Sequence, residues 1–167
     1  DGELFEDNDE RSIFFIRGVL ETVKKLGWAP DIIHCQGWMS ALLPLYVKTM
    51  YKDDPHFQDA KIVYSVFENQ FENTLDKELI NKVAFDGIDT SELDLLKDPS
   101  CTNLHKLAID FSDGVIECSE NVNQEVKEHI SSKGVKSLDY NTAQLIPEID
   151  ELYDAILENN DVLVEES

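Results

Sequence analysis

Residues Trp28-Ala29-Pro30-Asp31-Ile32-Ile33-His34-Cys35-Gln36-Gly37-Trp38-Met39-Ser40-Ala41-Leu42-Leu43-Pro44-Leu45-Tyr46-Val47-Lys48 decide how the rest of the chain is read. Asp31 to Cys35 is short and apolar at its centre, which predicts a buried strand. A helix is expected beyond it, over roughly 38–51. Pro44 has no N–H to donate, and inside a helix proline costs about 3 kcal/mol. The cost shrinks in a first turn, so this helix is placed to start near Met39–Ala41. A strand that turns into a helix is the repeating unit of open parallel α/β sheets, and ligands bind at such junctions.

The same alternation continues outward. Before the strand, Ile13, Ile16, Leu20 and Val23 form one stripe over 11–26, widened by Phe15, Val19 and Leu26. Asp9 and Glu10 suit the positive end of that helix, Lys24 and Lys25 its negative end. Gly27 and Pro30 stop it. After the strand, Lys61 to Phe67 reads as a second strand, rich in β-branched residues. Helices are expected near 74–84, 90–97 and 101–111, then a strand over Gly114 to Cys118. Ser119 is the expected N-cap of a helix at 121–131. A short strand at 136–140 and a helix at 142–158 close the pattern. The fold class is therefore α/β, three layers with a parallel sheet and helices on both faces. One domain is expected over 1–158, its first strands missing, with an acidic tail over 159–167.

Composition narrows the function. At 167 residues, 42% hydrophobic and 29% charged, the chain can bury one real core. No apolar run approaches a membrane span. The chain begins at Asp1 without a signal-peptide pattern, and it is read as a piece of a longer protein. Net charge is −21, from 14 basic and 35 acidic residues. That field repels phosphate backbones and anionic lipid, so neither nucleic acid nor membrane is expected as a partner. Three cysteines, Cys35, Cys101 and Cys118, form no Cys-x-x-Cys pair and fit a reducing cytoplasm. The four histidines show no ligand spacing, and no metal or other cofactor is expected.

Three blocks, in order, resemble the N-terminal half of bacterial glycogen synthase and starch synthase, glycosyltransferase family 5. Leu4-Phe5-Glu6-Asp7-Asn8-Asp9-Glu10-Arg11-Ser12-Ile13-Phe14-Phe15 resembles a Tyr-x-Asp-Asn-x-x-Arg-Phe-x-x-Phe block that precedes a helix. Trp28 to His34 and the helix after it resemble Trp-x-Pro-Asp-Val-Ile-His-x-His-Asp-Trp-His. Asp110 to Ser119 resembles Ala-Asp-x-Val-x-x-Val-Ser, and Lys61 to Val66 the strand Lys-x-Val-x-Thr-Ile. The likeness is greatest to the short, single-domain glycogen-synthase-like proteins. It implies a Rossmann-like domain, the N-terminal half of a GT-B glycosyltransferase. It implies glucosyl transfer from ADP-glucose to an α-1,4-glucan without metal, with α-glucan and ADP-glucose as partners.

Carried over residue by residue, the resemblance places Asp7 and Asn8 at the cleft, and His34 as the first histidine of the second block. The second histidine becomes Gln36, the aspartate Gly37 and the next histidine Met39, whereas Trp38 is kept. Thr-Ile-His-Asn becomes Ser65-Val66-Phe67-Glu68. Methionine and phenylalanine cannot replace the hydrogen bonds of imidazole. Glu68 adds negative charge near a site for an anionic donor. None of the seven glycines are adjacent, so no glycine-rich loop cradles a pyrophosphate here. The family's Lys-x-Gly-Gly-Leu loop would precede this region, and its second Rossmann domain would follow it.

Each candidate has a plainer reading. Asp7 lies among six acids in ten residues and reads equally as part of a solvated loop. His34 ends a buried strand and reads as a core histidine with satisfied nitrogens. Cys35 reads as a small buried hydrophobe. Trp38 can stack on a sugar or simply pack. The expectation is a glucosyltransferase domain that transfers no glucose by itself. The alternative is a non-catalytic glucan-binding or regulatory relative.

Overall fold

The computed structural model describes residues 4–158. Four parallel strands, β1 (Ile32–Gln36), β2 (Lys61–Val66), β3 (Gly114–Glu117) and β4 (Lys136–Leu138), lie in the order β1-β2-β3-β4. His34 stands opposite Val63, Tyr64 opposite Val115, and Ile116 opposite Leu138. The helices are α1 (Asn8–Lys25), α2 (Leu43–Lys48), α3 (Leu79–Phe85), α4 (Cys101–Asp110), α5 (Gln124–Lys133) and α6 (Ile146–Glu158). The expected α/β class and parallel sheet are present.

Strand alternation divides the interior in two. Cys35, Ile62, Tyr64, Val66 and Val115 join a large core with side chains of α1 to α5, among them Ile16, Leu20, Leu104 and Val126. One residue out of phase, Val63 and Ile116 join a smaller core with Leu152 and Ile156 of α6. Gly114 belongs to this second face, and a Cβ there would clash with the Ile156 Cδ1. The absent side chain is what lets α6 lie close to β3.

Several expected boundaries move, each for a local reason. The helix expected over 38–51 splits into a 3-10 turn at Trp38–Ser40 and α2. Pro44 cannot donate back to Ser40, so the regular helix begins one residue before it. Ser119 does not cap α5. Asn123 does, accepting from the Glu125 N–H at 2.9 Å, and the helix starts at Gln124. The segment at 90–97 forms two 3-10 turns, and α3 and α6 begin later than 74 and 142. Ile16 and Leu20 of α1 are buried as expected, but Phe15 and, just past the helix, Leu26 face solvent. The acidic tail expected over 159–167 lies outside the described residues.

Candidate functional site

The carboxyl ends of β1, β2 and β3 meet along one edge of the sheet. At the end of β1 the chain turns on Gly37, with φ +68°, which only glycine adopts without strain. The Gly37 N–H donates to the Ser65 carbonyl at 3.1 Å, tying the turn to β2. Ser40 Oγ lies 2.9 Å from the Gln36 carbonyl and 3.0 Å from that of Gly37. From α1, Ser12 Oγ donates to the Met39 carbonyl at 2.9 Å. Trp38 meets Phe71 edge to face, ring centroids 5.2 Å apart. Phe67 and Gln70 stand beside Gly37, each 3.9 Å from where its Cβ would be. Glu68 is exposed and accepts from Ser119 Oγ, just past β3, at 2.7 Å.

Next to this edge lies a cavity of about 960 Å³, walled by Leu4–Glu6 and residues 69–76. Phe5 and Phe71 supply aromatic surface; Asn69, Gln70, Glu6 and Asp76 are among the polar groups. Among the described residues, no lysine or arginine lines it. Beneath it, α4 begins at Cys101, capped by Ser100 Oγ accepting from the Asn103 N–H at 3.3 Å. Asn69 Nδ2 donates to Thr102 Oγ1 at 2.9 Å, fixing the loop to that helix start.

The sequence candidates divide. Gln36, Gly37, Trp38, Met39, Phe67 and Glu68 all fall at the strand ends just described. Asp7 is exposed and pairs with Arg11 one helical turn on, at 2.9 Å. Asn8 is buried at the start of α1, and its N–H donates to the Phe5 carbonyl at 3.1 Å. His34 is engaged on both ring nitrogens: Nε2 with Ser65 Oγ and Nδ1 with Tyr153 OH, each at 2.7 Å. Burial holds its pKa below the ordinary histidine value. Cys35 is sealed in the core, and burial pushes its thiol up to about 12, so it has no thiolate to offer. Among the described residues, no three His, Cys, Asp or Glu side chains gather as a metal would require.

Two features were not read from the sequence. The loop 69–76 has no periodicity, and only its density of amides and acids marks it. Asp9 was read only as favourable to the α1 dipole, yet it is 1% exposed and bonded to Lys82 Nζ at 2.6 Å. The start of α1 at Asn8 puts Asn8, Asp9, Ser12 and Ile16 along one buried face.

A parallel sheet with a turn and a polar cavity at its carboxyl edge defines a Rossmann-like α/β domain, of the sort that binds ligands at that edge. Residues 1–139 match the family model of the starch synthase catalytic domain, and the chain belongs to that family. It is 30% identical over 124 residues to a glycogen synthase of Desulforudis audaxviator, covering 74% of this chain and 25% of that one. It is 52% identical over 65 residues to a glycogen synthase of Chlorobium limicola, covering 39% of this chain and 13% of the relative. The chain thus spans a quarter or less of the length of these relatives. The fold matches the catalytic domain of starch synthase IV from Arabidopsis thaliana, a structure bound to ADP and acarbose. The TM-score is 0.60 at 21% identity, over 81% of this chain and 30% of that one. No helix among the described residues is long and apolar enough to cross a membrane.

Proposed function

We propose that this chain is the glucan-binding part of a cytoplasmic glycogen or starch synthase catalytic region. The whole protein would transfer glucose from ADP-glucose to an α-1,4-glucan; this chain alone would not. Residues 1–158 serve as one Rossmann-like unit, with the strand-end residues from Gln36 to Met39, Phe67 and Glu68 at the rim of its cleft. The observation that carries the reading is the cavity of about 960 Å³ with aromatic rings, amides and carboxylates but no cation. Neutral sugar hydroxyls can donate to and accept from such groups, and sugar C–H faces lie well on aromatic rings. A nucleoside diphosphate would meet Glu6, Glu72 and Asp76 there with no cation among the described lining residues, within a chain of net charge −21.

Calorimetry with maltoheptaose and with ADP-glucose tests this. The expected result is heat with maltoheptaose and none with ADP-glucose. Trp38→Ala is expected to weaken the glucan at least about tenfold, through loss of the ring that supports Phe71. Millimolar or tighter binding of ADP-glucose by this chain would overturn the division of labour. The second reading, a non-catalytic glucan-binding relative, is favoured by Met39, Phe67 and Glu68, where the family pattern has histidine, histidine and asparagine. Labelled glucose incorporation by the complete protein separates the two. Incorporation removes the second reading, and none alongside intact glucan binding supports it.

A further inference from the structure

The second face of the sheet holds a polar chain that the cleft described above does not use. Tyr153 on α6 meets His34 on β1 through its hydroxyl at 2.7 Å, ring centroids 6.0 Å apart in an edge-to-face arrangement. His34 in turn meets Ser65 Oγ on β2 at 2.7 Å. The carbonyl of the same Ser65 receives the Gly37 N–H at 3.1 Å. Three hydrogen bonds thus run from α6, across two strands, to the turn at the sheet's carboxyl edge. Tyr153 lies beyond residue 139, where the match to the family model ends.

We propose that Tyr153 is a positioning residue for the Gly37 turn. It holds the His34 ring in one orientation and one tautomer, His34 holds the Ser65 side chain, and Ser65 anchors the turn through its carbonyl. The argument is one of hydrogen-bond supply. Neutral imidazole has one N–H and one bare nitrogen, so its two partners must play opposite roles. Ser65 Oγ is buried and has no other partner among the described residues, so its O–H donates to Nε2; Nδ1 then carries the proton and donates to the Tyr153 oxygen, whose own O–H is left to water. Removal of the tyrosine hydroxyl leaves one nitrogen unmatched in a half-buried place, and the ring loses the acceptor that holds its proton on Nδ1. Ser65 is itself only 2% exposed, so it has little access to water as a substitute for His34. The packing of α6 rests on apolar surface, Leu152, Ile156 and the Tyr153 ring against Val63 and Ile116, and none of it needs the tyrosine hydroxyl.

That separation supplies the test. Tyr153→Phe keeps the ring and deletes the hydroxyl, whereas Ile156→Val trims the packing one turn away and leaves the chain of hydrogen bonds intact. The measurements are the tautomer of His34 by nitrogen-15 NMR and the hydrogen exchange of the Gly37 amide relative to the Tyr64 amide. In the unmodified protein His34 is expected in a single tautomer. In Tyr153→Phe a tautomer mixture is expected, with Gly37 exchange faster by about tenfold relative to Tyr64. In Ile156→Val overall stability falls but that ratio and the tautomer stay. Ser65→Ala, which keeps the carbonyl and removes the hydroxyl, is expected to repeat the tyrosine result and serves if Tyr153→Phe does not fold. An unchanged tautomer and ratio in Tyr153→Phe, or an equal change in Ile156→Val, overturns the proposal. None of these readouts needs a ligand, so they stand apart from the glucan reading.

Discussion

Lys82→Met is expected to lower the unfolding free energy by about 3–5 kcal/mol, the usual result of stripping a buried charge of its partner. Urea denaturation reads it directly. Asp9 is 1% exposed; its Oδ2 receives Lys82 Nζ at 2.6 Å, and its Oδ1 has no hydrogen-bond partner among the described residues. The lysine also lies 2.9 Å from Glu10 and 3.9 Å from Asp76. The Asp9 hydrogen bond first, and Glu10 second, hold the Lys82 ammonium charged well above the usual lysine range. Methionine keeps the stem and removes the charge, leaving three carboxylates to repel one another around a site with no cation. Adding Asp9→Asn in the same chain is expected to restore about half of the loss, because the buried group is then neutral. A loss under about 1 kcal/mol for Lys82→Met would mean that Asp9 is stabilised by something other than the lysine. The pair also bears on the cavity. Leu4–Glu6 lead into α1 and residues 69–76 lead towards α3, so an α1–α3 ion pair clamps both walls.

The sequence made the sheet legible and the clamp illegible, for different physical reasons. Strands buried on both sides are apolar runs, and β1, β2 and β3 each show one within a residue or two of where it lies. Pro44 acts through a fixed backbone rule, which moved the expected helix start to Met39–Ala41, short of Leu43 where the regular helix begins. Asp9 obeys no such rule. A run of acids at a helix start reads as solvated because the burial of one member depends on helix phase and on a lysine 73 residues away. The cavity was invisible for a similar reason: its wall is an aperiodic loop that meets Leu4–Glu6 only after the sheet has formed. His34 was legible as a satisfied histidine but its second partner, Tyr153, is 119 residues distant and came from a helix read only for its apolar stripe.

Stability is expected to fall by about 3 kcal/mol between pH 6.5 and about pH 4, with His105 as the largest single source. His105 is fully buried on α4, and burial pushes its pKa down to about 4. In the unfolded chain it binds a proton near 6.5. Between the two values the unfolded chain takes up a proton that the folded chain refuses. The contribution is complete above 6.5, declines as pH falls, and is exhausted below about 4. His34 acts in the same direction from its half-buried position. Asp54, held down to about 2 mainly by its hydrogen bond from Lys24, loses its contribution only at lower pH and leaves this window clear. His105→Gln is therefore expected to flatten most of the acid slope measured by urea denaturation at a series of pH values. A variant slope equal to the unmodified one would sink the assignment. The consequence reaches the cleft. His105 Nδ1 shares a hydrogen bond with the Tyr64 hydroxyl at 2.7 Å, and Nε2 lies 3.5 Å from Cys101 Sγ. Cys101 opens α4 beside Thr102, whose Oγ1 receives Asn69 Nδ2 of the cavity wall at 2.9 Å. A proton forced onto His105 disturbs the first turn of α4, to which the wall is tied, so glucan binding should weaken with acid before the sheet itself opens.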